Sequence, residues 1–445
     1  MRIYIALFLL LFADIVFAKD EVYETKLENG LQIIVVRNPK GPVVYHSLWY
    51  NVGSADSPSG ASGLAHFLEH LMFKGTTKFP QQSFSQTINR IGGTQNAQTS
   101  QDATIYWQIV DKQHLPLVME MEADRMVNLV FDEKVVEKEI DVVLNERRMN
   151  IDGSSTGKIS QALNAAMFWN DPYGKPVIGY ESEIKEYTGQ KAKDFYEKWY
   201  TPSNAILIVA GDVTLDEVKN LAQKYYGVLP KKDAPLRNRL QEPTHHDITS
   251  KIILRDENTR GVFVEWDYFV PNFLSAKNNP EKMKSLVALN LLQIILTDPT
   301  YGCLNELLIH QQKLAYATGS SYQGLGVSSG KFAIYFSPEL ILDVEKIEGI
   351  IQGILYDLAL NGPKEDQIIK AKERYRLSVE YQKRNLTGLA DTLGDIALLG
   401  FNYNDYRLYD EILDNLNTKD IKEAVSAHLT KNPAVQLYSY PDRTK

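Results

Sequence analysis

The sequence predicts an α+β fold divided near its middle. Three observations carry that expectation: strand-like and helix-like segments interleave without βαβ regularity, a proline-rich charged stretch at residues 229–246 interrupts the apolar patterning, and the two halves end alike. In the first half Thr188 opens a helical stretch that leads through Thr201-Pro202-Ser203-Asn204 to a strand at 206–210. In the second, Thr418 opens one that leads through Thr430-Lys431-Asn432-Pro433 to a strand at 435–440. Each threonine stands where a helix N-cap is expected. Chance also produces single matches of this kind, so on the echo alone duplication and coincidence both stand.

The elements follow in order. Residues 1–18 combine a basic Arg2, an apolar run at 3–12 and the small-residue end Val16-Phe17-Ala18, which reads as a secretory signal peptide cleaved after Ala18. The mature chain is then expected in the periplasm or outside the cell. The run is short of the roughly 20 apolar residues that span a bilayer, and no later stretch reaches that length, so no membrane span is expected. The segment from Gly30 to Ser54 holds two strand-like runs, rich in β-branched and aromatic residues and broken at Asn38-Pro39-Lys40-Gly41-Pro42. Residues 62–74, 80–91, 112–129 and 132–149 read as helices, with a strand at 104–110 after Gly92-Gly93. The organisation is thus a leader at 1–18, a first unit at 19–230, a linker at 231–246 and a second unit at 247–445.

The 445 residues are 44% hydrophobic and 23% charged, which provides a sizeable core and excludes a disordered chain. Lys and Arg number 48 against 56 Asp and Glu, a net charge of −8 with no basic cluster, so a dedicated nucleic-acid binder is excluded. Cys303 is the single cysteine, which excludes an intrachain disulfide framework and a zinc site built on several thiolates. A metal in this chain rests on imidazole and carboxylate.

Gly63-Leu64-Ala65-His66-Phe67-Leu68-Glu69-His70-Leu71-Met72-Phe73 carries such a set. On a helix His66 and His70 lie about 40° apart, with Glu69 on the flank of the same sector. Every other position from Leu64 to Phe73 is apolar, so the helix is expected to be buried. Two imidazoles and a carboxylate on a buried helix cost several kcal/mol unless something pairs them, and a divalent cation does so. The order HxxEH inverts a zinc-peptidase signature in which both histidines bind zinc and the glutamate is the general base. A catalytic zinc normally takes three protein ligands. In the helix at 132–149, Glu139 and Glu146 fall within about 20° of each other on the edge of the apolar stripe, and both are candidates. Lone His46, His114 and His428, and adjacent His245 and His246 in the linker, read as solvent-exposed.

HFLEH followed after 75 residues by Glu146 resembles the pitrilysin family of zinc peptidases, in particular the branch with mitochondrial processing peptidase and its bacterial relatives. The segments GLQIIVVRNPKGPVVYHSLWYNVGSADSP, FKGTTKF, GGTQNAQTSQDATIYW, DPYGKPVIGYESEI and WYTPSNAILIVAGDV are similar to family segments in the family's order; residues 247–445 resemble it more thinly. The resemblance implies two tandem similar domains, each a mainly antiparallel sheet covered by helices. It implies one Zn2+ per chain on His66, His70 and Glu146, with Glu69 as general base and Glu139 supporting the metal ligands. Asn96 and Ala97 match an edge strand along which substrate adds as a further strand.

One departure lies in the second half. Active relatives often place an arginine seven residues before a tyrosine there; Tyr316 matches the tyrosine, while Ile309 holds the arginine's position and the adjacent His310 points elsewhere. The expected reaction is hydrolysis of peptides or unfolded segments by a zinc metalloendopeptidase, with Tyr316 as an additional donor to the oxyanion. The rival readings are a weak or inactive family subunit acting in peptide binding or assembly, and a zinc-binding chaperone that holds peptides without cleaving them. Family chambers are built from four domains, so a two-domain chain is expected to form a homodimer or to pair with a second family subunit.

Overall fold

The computed structural model describes residues 21–242 and 248–442. The leader with its cleavage point after Ala18, and His245 with His246, lie outside the described residues. Strands β1 (Glu21–Lys26), β2 (Gln32–Arg37), β3 (Val43–Tyr50), β4 (Thr94–Thr99), β5 (Thr104–Asp111) and β6 (Ala205–Gly211) form one sheet, in the order β1-β2-β6-β3-β5-β4. Strands β7 (Ser250–Asp256), β8 (Phe263–Val270), β9 (Ala315–Gln323), β10 (Gly330–Pro338) and β11 (Val435–Pro441) form the other, in the order β7-β11-β8-β10-β9. With β1 set aside, the two orders coincide strand for strand. Each sheet has one parallel pair, β2 with β6 and β7 with β11, and antiparallel neighbours elsewhere. The α+β architecture of two similar, mainly antiparallel units therefore holds, and β6 and β11, the ends of the sequence echo, occupy equivalent places.

The capping of the second echo differs from the expectation. Thr188 does cap the helix Gly189–Trp199, its hydroxyl accepting from the Lys191 N–H at 3.2 Å. In the second half the cap is Asn417, and Thr418 is already the first helical residue. Asn417 accepts from the Lys419 N–H and Asp420 accepts in return from the Asn417 N–H, both at 2.9 Å, so two orphan donors are satisfied where a threonine cap would satisfy one.

The inner strands β2, β3 and β6 are largely apolar on both faces, and both faces are covered. In the first sheet Ile33, Val35, Val44, Leu48, Leu207 and Val209 face the unit's own helices, while Ile34, Val36, Tyr45, Trp49, Ile206 and Ile208 face the other way. That second face is covered from the far half of the chain, by Leu389, Ala390, Leu393 and Ala397 of the helix Gly388–Leu398. Gly394 makes the approach close: a Cβ there would lie 2.5 Å from the Trp49 ring. The loan is returned by the helix Ser155–Met167, whose Leu163 and Met167, with Phe168, pack on Val435 and Leu437 of the second sheet. Each unit thus lends the other a helix.

The linker is held as well. Its residues to 242 form neither helix nor strand, yet Arg239, 6% exposed at its side chain, pairs with Asp56 at 2.6 Å and with Asp102, and Arg237 donates to the Asp102 carbonyl. His46 is a further correction. It is fully buried on β3, bonded to Gln108 at 2.9 Å and to the Tyr226 hydroxyl at 3.1 Å, and burial lowers its pKa. These two partners satisfy both ring nitrogens, which is why a histidine is tolerated inside the sheet. His114 and His428 are half-buried, and His428 meets the Ser285 hydroxyl at 3.2 Å. Among the described residues no helix is long and apolar enough to cross a membrane.

Candidate metal centre

The helix Leu64–Met72 buries Leu64, Ala65, Phe67, Leu68, Leu71 and Met72, leaving His66, Glu69 and His70 as its polar sector. It starts at Gly63, which has φ 83° and packs against the backbone of Ile178 and Gly179 with no room for a Cβ. The helix Glu133–Arg147 starts at Asp132, whose carboxylate caps Lys134 and Val135, and its last residue anchors it. Arg147 is buried and donates to the Gly179 carbonyl at 2.7 Å, to Asp152 at 3.2 Å and to Gln161 at 3.1 Å. Glu146 therefore sits on the turn fixed beside the start of the histidine helix. The chain then leaves through a π-helical turn, Arg148–Asp152, a feature frequent at functional sites.

These anchors bring His66, His70 and Glu146 together, with one ligand atom from each lying within 4.8 Å of the others. His70 Nε2 is 3.3 Å and His66 Nε2 3.7 Å from Glu146 Oε2. Ligand atoms about 2.0–2.2 Å from a tetrahedral zinc are separated by about 3.3–3.6 Å, so the spacing and the imidazole–carboxylate chemistry both fit that ion. The 3.7 Å separation is too long for a hydrogen bond.

The supporting contacts are asymmetric. His70 Nδ1 meets Glu139 Oε1 at 2.9 Å, and Glu139 Oε2 meets Lys74 Nζ at 2.5 Å. Burial pushes the Glu139 carboxyl up, but the bonds to His70 and Lys74 outweigh it and hold the group below the usual carboxylate range. An acceptor of this kind fixes the tautomer that presents Nε2 to a metal. His66 Nδ1 is buried with no hydrogen-bond partner. Burial, then the charge of His70, lowers the His66 pKa to about 4, against the pull of Glu146. A neutral imidazole is the form that ligates.

Glu69 stands beside this group, and its Oε2 accepts from the Thr99 hydroxyl at 2.5 Å. Burial raises its pKa, with the Thr99 bond acting in the opposite direction. Thr99 ends β4, and among the described residues β4 pairs only with β5, so its other edge is open there; Asn96 and Ala97 lie mid-strand, opposite Trp107 and Tyr106. No hydrogen bond joins Tyr316 to the cluster among the described residues. Tyr316 lies on β9, the equivalent edge of the second sheet, 55% exposed, with its hydroxyl over Gly261. Ile309 and His310 lie in the π-helical turn Glu306–Gln311.

Lys74, Thr99 and Arg147 did not stand out in the sequence. Lys74 follows His70 by one helical turn, a spacing that could have found it. Thr99 offers no local signal, since tertiary pairing alone places it on Glu69.

Two family descriptions match the chain: "Insulinase (Peptidase family M16)" over residues 32–181 and "Peptidase M16 inactive domain" over residues 186–375. The zinc protease PqqE of Helicobacter pylori is 33% identical over 298 residues, a stretch covering 65% of this chain and 64% of that protein. The beta subunit of the mitochondrial processing peptidase of Neurospora crassa is 25% identical over 418 residues, covering 90% of this chain and 83% of that one. The crystal structure of a protease from Helicobacter pylori, 25% identical, superposes with a TM-score of 0.86 over 95% of this chain and 100% of its own.

Proposed function

The chain belongs to the insulinase-like M16 family of peptidases, and from that premise we propose that it is a zinc metalloendopeptidase acting on peptides or unfolded segments. The carrying observation is the convergence of His66, His70 and Glu146 beside a glutamate, Glu69, that is not one of the three. In this reading His66, His70 and Glu146 hold one zinc ion. When bound, it supplies Lewis acidity to a water and to a scissile carbonyl.

The chain's own residues do the rest. Glu69 takes the proton of the attacking water and passes it to the departing amine. The Thr99 hydroxyl occupies Glu69 Oε2, which fixes the carboxylate plane and leaves Oε1 for the water. Glu139, held by Lys74, orients His70. The open edge of β4, with Asn96 and Ala97, binds substrate main chain as an added strand. Tyr316, whose hydroxyl lies over Gly261, is the additional oxyanion donor in this proposal.

The proposal places the zinc-binding unit at 19–230 and its companion unit at 247–445. The leader-like residues 1–18 support a periplasmic or secreted chain, and the two-unit build supports a homodimer or a pairing with a second family subunit. Ile309, in the position where active relatives often hold an arginine, favours the second reading, a weak or inactive subunit that binds peptides. Incubating the purified chain with an unstructured peptide, with and without chelator, separates the two. Cleavage that chelator abolishes and zinc restores is expected; no cleavage under any metal condition overturns the enzyme.

A further inference from the structure

A second cavity lies away from the metal centre. It has a volume of about 360 Å³ and opens between the body of the second unit and the helix Gly388–Leu398, the one lent to the first sheet. Its walls include rings from five separate segments, Phe273, Tyr322, Tyr375, Phe401 and the pair Tyr406 and Tyr409 on one helix. They support one another, with ring centres 5.9 Å apart for Phe273 and Tyr409 and for Tyr375 and Tyr409, and 6.3 Å for Phe273 and Tyr322.

Two of the ring hydroxyls on these walls are already engaged. The Tyr322 hydroxyl donates to the Pro271 carbonyl at 2.9 Å, and the Tyr409 hydroxyl accepts from Asn290. Among the described lining residues there is no Lys, Arg or His, and the one carboxylate, Asp405, accepts from the Asn402 N–H at 2.8 Å to cap its own helix. A space of this size with ring walls and committed polar atoms holds water poorly and favours apolar, polarisable matter. An anionic ligand would meet the Asp405 carboxylate and no cation among these lining residues.

We propose that this cavity is a binding site for an aromatic group of one or two rings that carries no negative charge. Gln323 and Leu325 also line a smaller cavity of about 170 Å³, whose lining from the first unit includes Ser100, Gln101 and Asp102, directly after β4. The aromatic group therefore has two sources, a free compound or a side chain of a peptide reaching past the end of β4. The site stands independently of the peptidase reading.

The test is calorimetric titration of the full chain with indole and with indole-3-acetate. Indole is expected to bind and indole-3-acetate to bind at least about tenfold more weakly. Ile396→Trp and Thr392→Phe, two independent variants that each put a ring into the space, are expected to abolish indole binding while melting as cooperatively as the parent chain. The source is then read by displacement with an unstructured peptide containing one tryptophan and its alanine counterpart. Displacement by the tryptophan peptide alone assigns the site to a side chain; displacement by neither assigns it to a free compound. Absence of indole binding, equal binding of indole-3-acetate, or undiminished binding in a folded variant overturns the proposal.

Discussion

The Thr99 hydroxyl donates to Glu69 Oε2 at 2.5 Å, joining the last residue of an open edge strand to the carboxylate beside the metal cluster. A hydrogen bond to a charged group contributes about 1.5–3 kcal/mol, so its loss from a base that must face one water is expected to lower kcat about tenfold to hundredfold. Thr99→Val should do this with KM and zinc content unchanged, and Thr99→Ser should restore the rate. A loss of kcat that serine does not rescue would mean that Thr99 serves packing alone.

Glu139 holds His70 on one side and Lys74 on the other. Glu139→Ala is expected to weaken zinc binding about 10–100-fold, read by competition against a calibrated chelator. Unchanged affinity would show that His70 needs no acceptor to present Nε2.

Arg125 is fully buried, bonded twice to Glu122 at 2.6 Å and enclosed by the rings of Phe73, Phe84 and Tyr106. Arg125→Met leaves the Glu122 carboxylate buried with only Gln108 as a bonded partner, an expected loss of about 3–5 kcal/mol in denaturant unfolding. Adding Glu122→Gln removes the orphan charge and should recover part of that loss. A single variant as stable as the parent would contradict the pairing.

Glu265 and Asp267 on β8 share Lys331, at 3.6 and 3.2 Å. Burial first, and then the charge of Asp267, raise the Glu265 pKa to about 7, against the pull of Lys331. A carboxyl raised on folding contributes stability that is complete below its unfolded value of about 4.5 and is lost as pH rises through about 7. Stability should therefore fall across this window through Glu265, and Glu265→Gln should flatten the fall. The same slope in both proteins, measured by denaturant titration at several pH values, would sink the assignment.

The parts legible in the sequence are those written locally. The polar sector of Leu64–Met72 reads from its i, i+3, i+4 spacing within an otherwise apolar helix, and the edge of the apolar stripe offers Glu139 and Glu146 together, between which only the family resemblance chooses. The shared approach to β6 and β11 leaves duplication and coincidence both standing, and the family resemblance is what points to the repeat. What stayed hidden depends on distant partners. The helices Ser155–Met167 and Gly388–Leu398 look like ordinary amphipathic segments, and nothing local says that each covers the other unit's sheet. Arg239 reads as a solvated linker charge until Asp56 and Asp102 enclose it, and His46 reads as exposed until Gln108 and Tyr226 supply its bonds.

The central claim is that Glu69 is the base at a zinc held by His66, His70 and Glu146. Its most direct measurement is the rate of peptide cleavage by Glu69→Gln alongside the zinc content of the same sample. The expected result is zinc retained at the wild-type level with a rate lowered about 10²–10⁴-fold. A zinc-loaded Glu69→Gln protein that cleaves at the wild-type rate would contradict it.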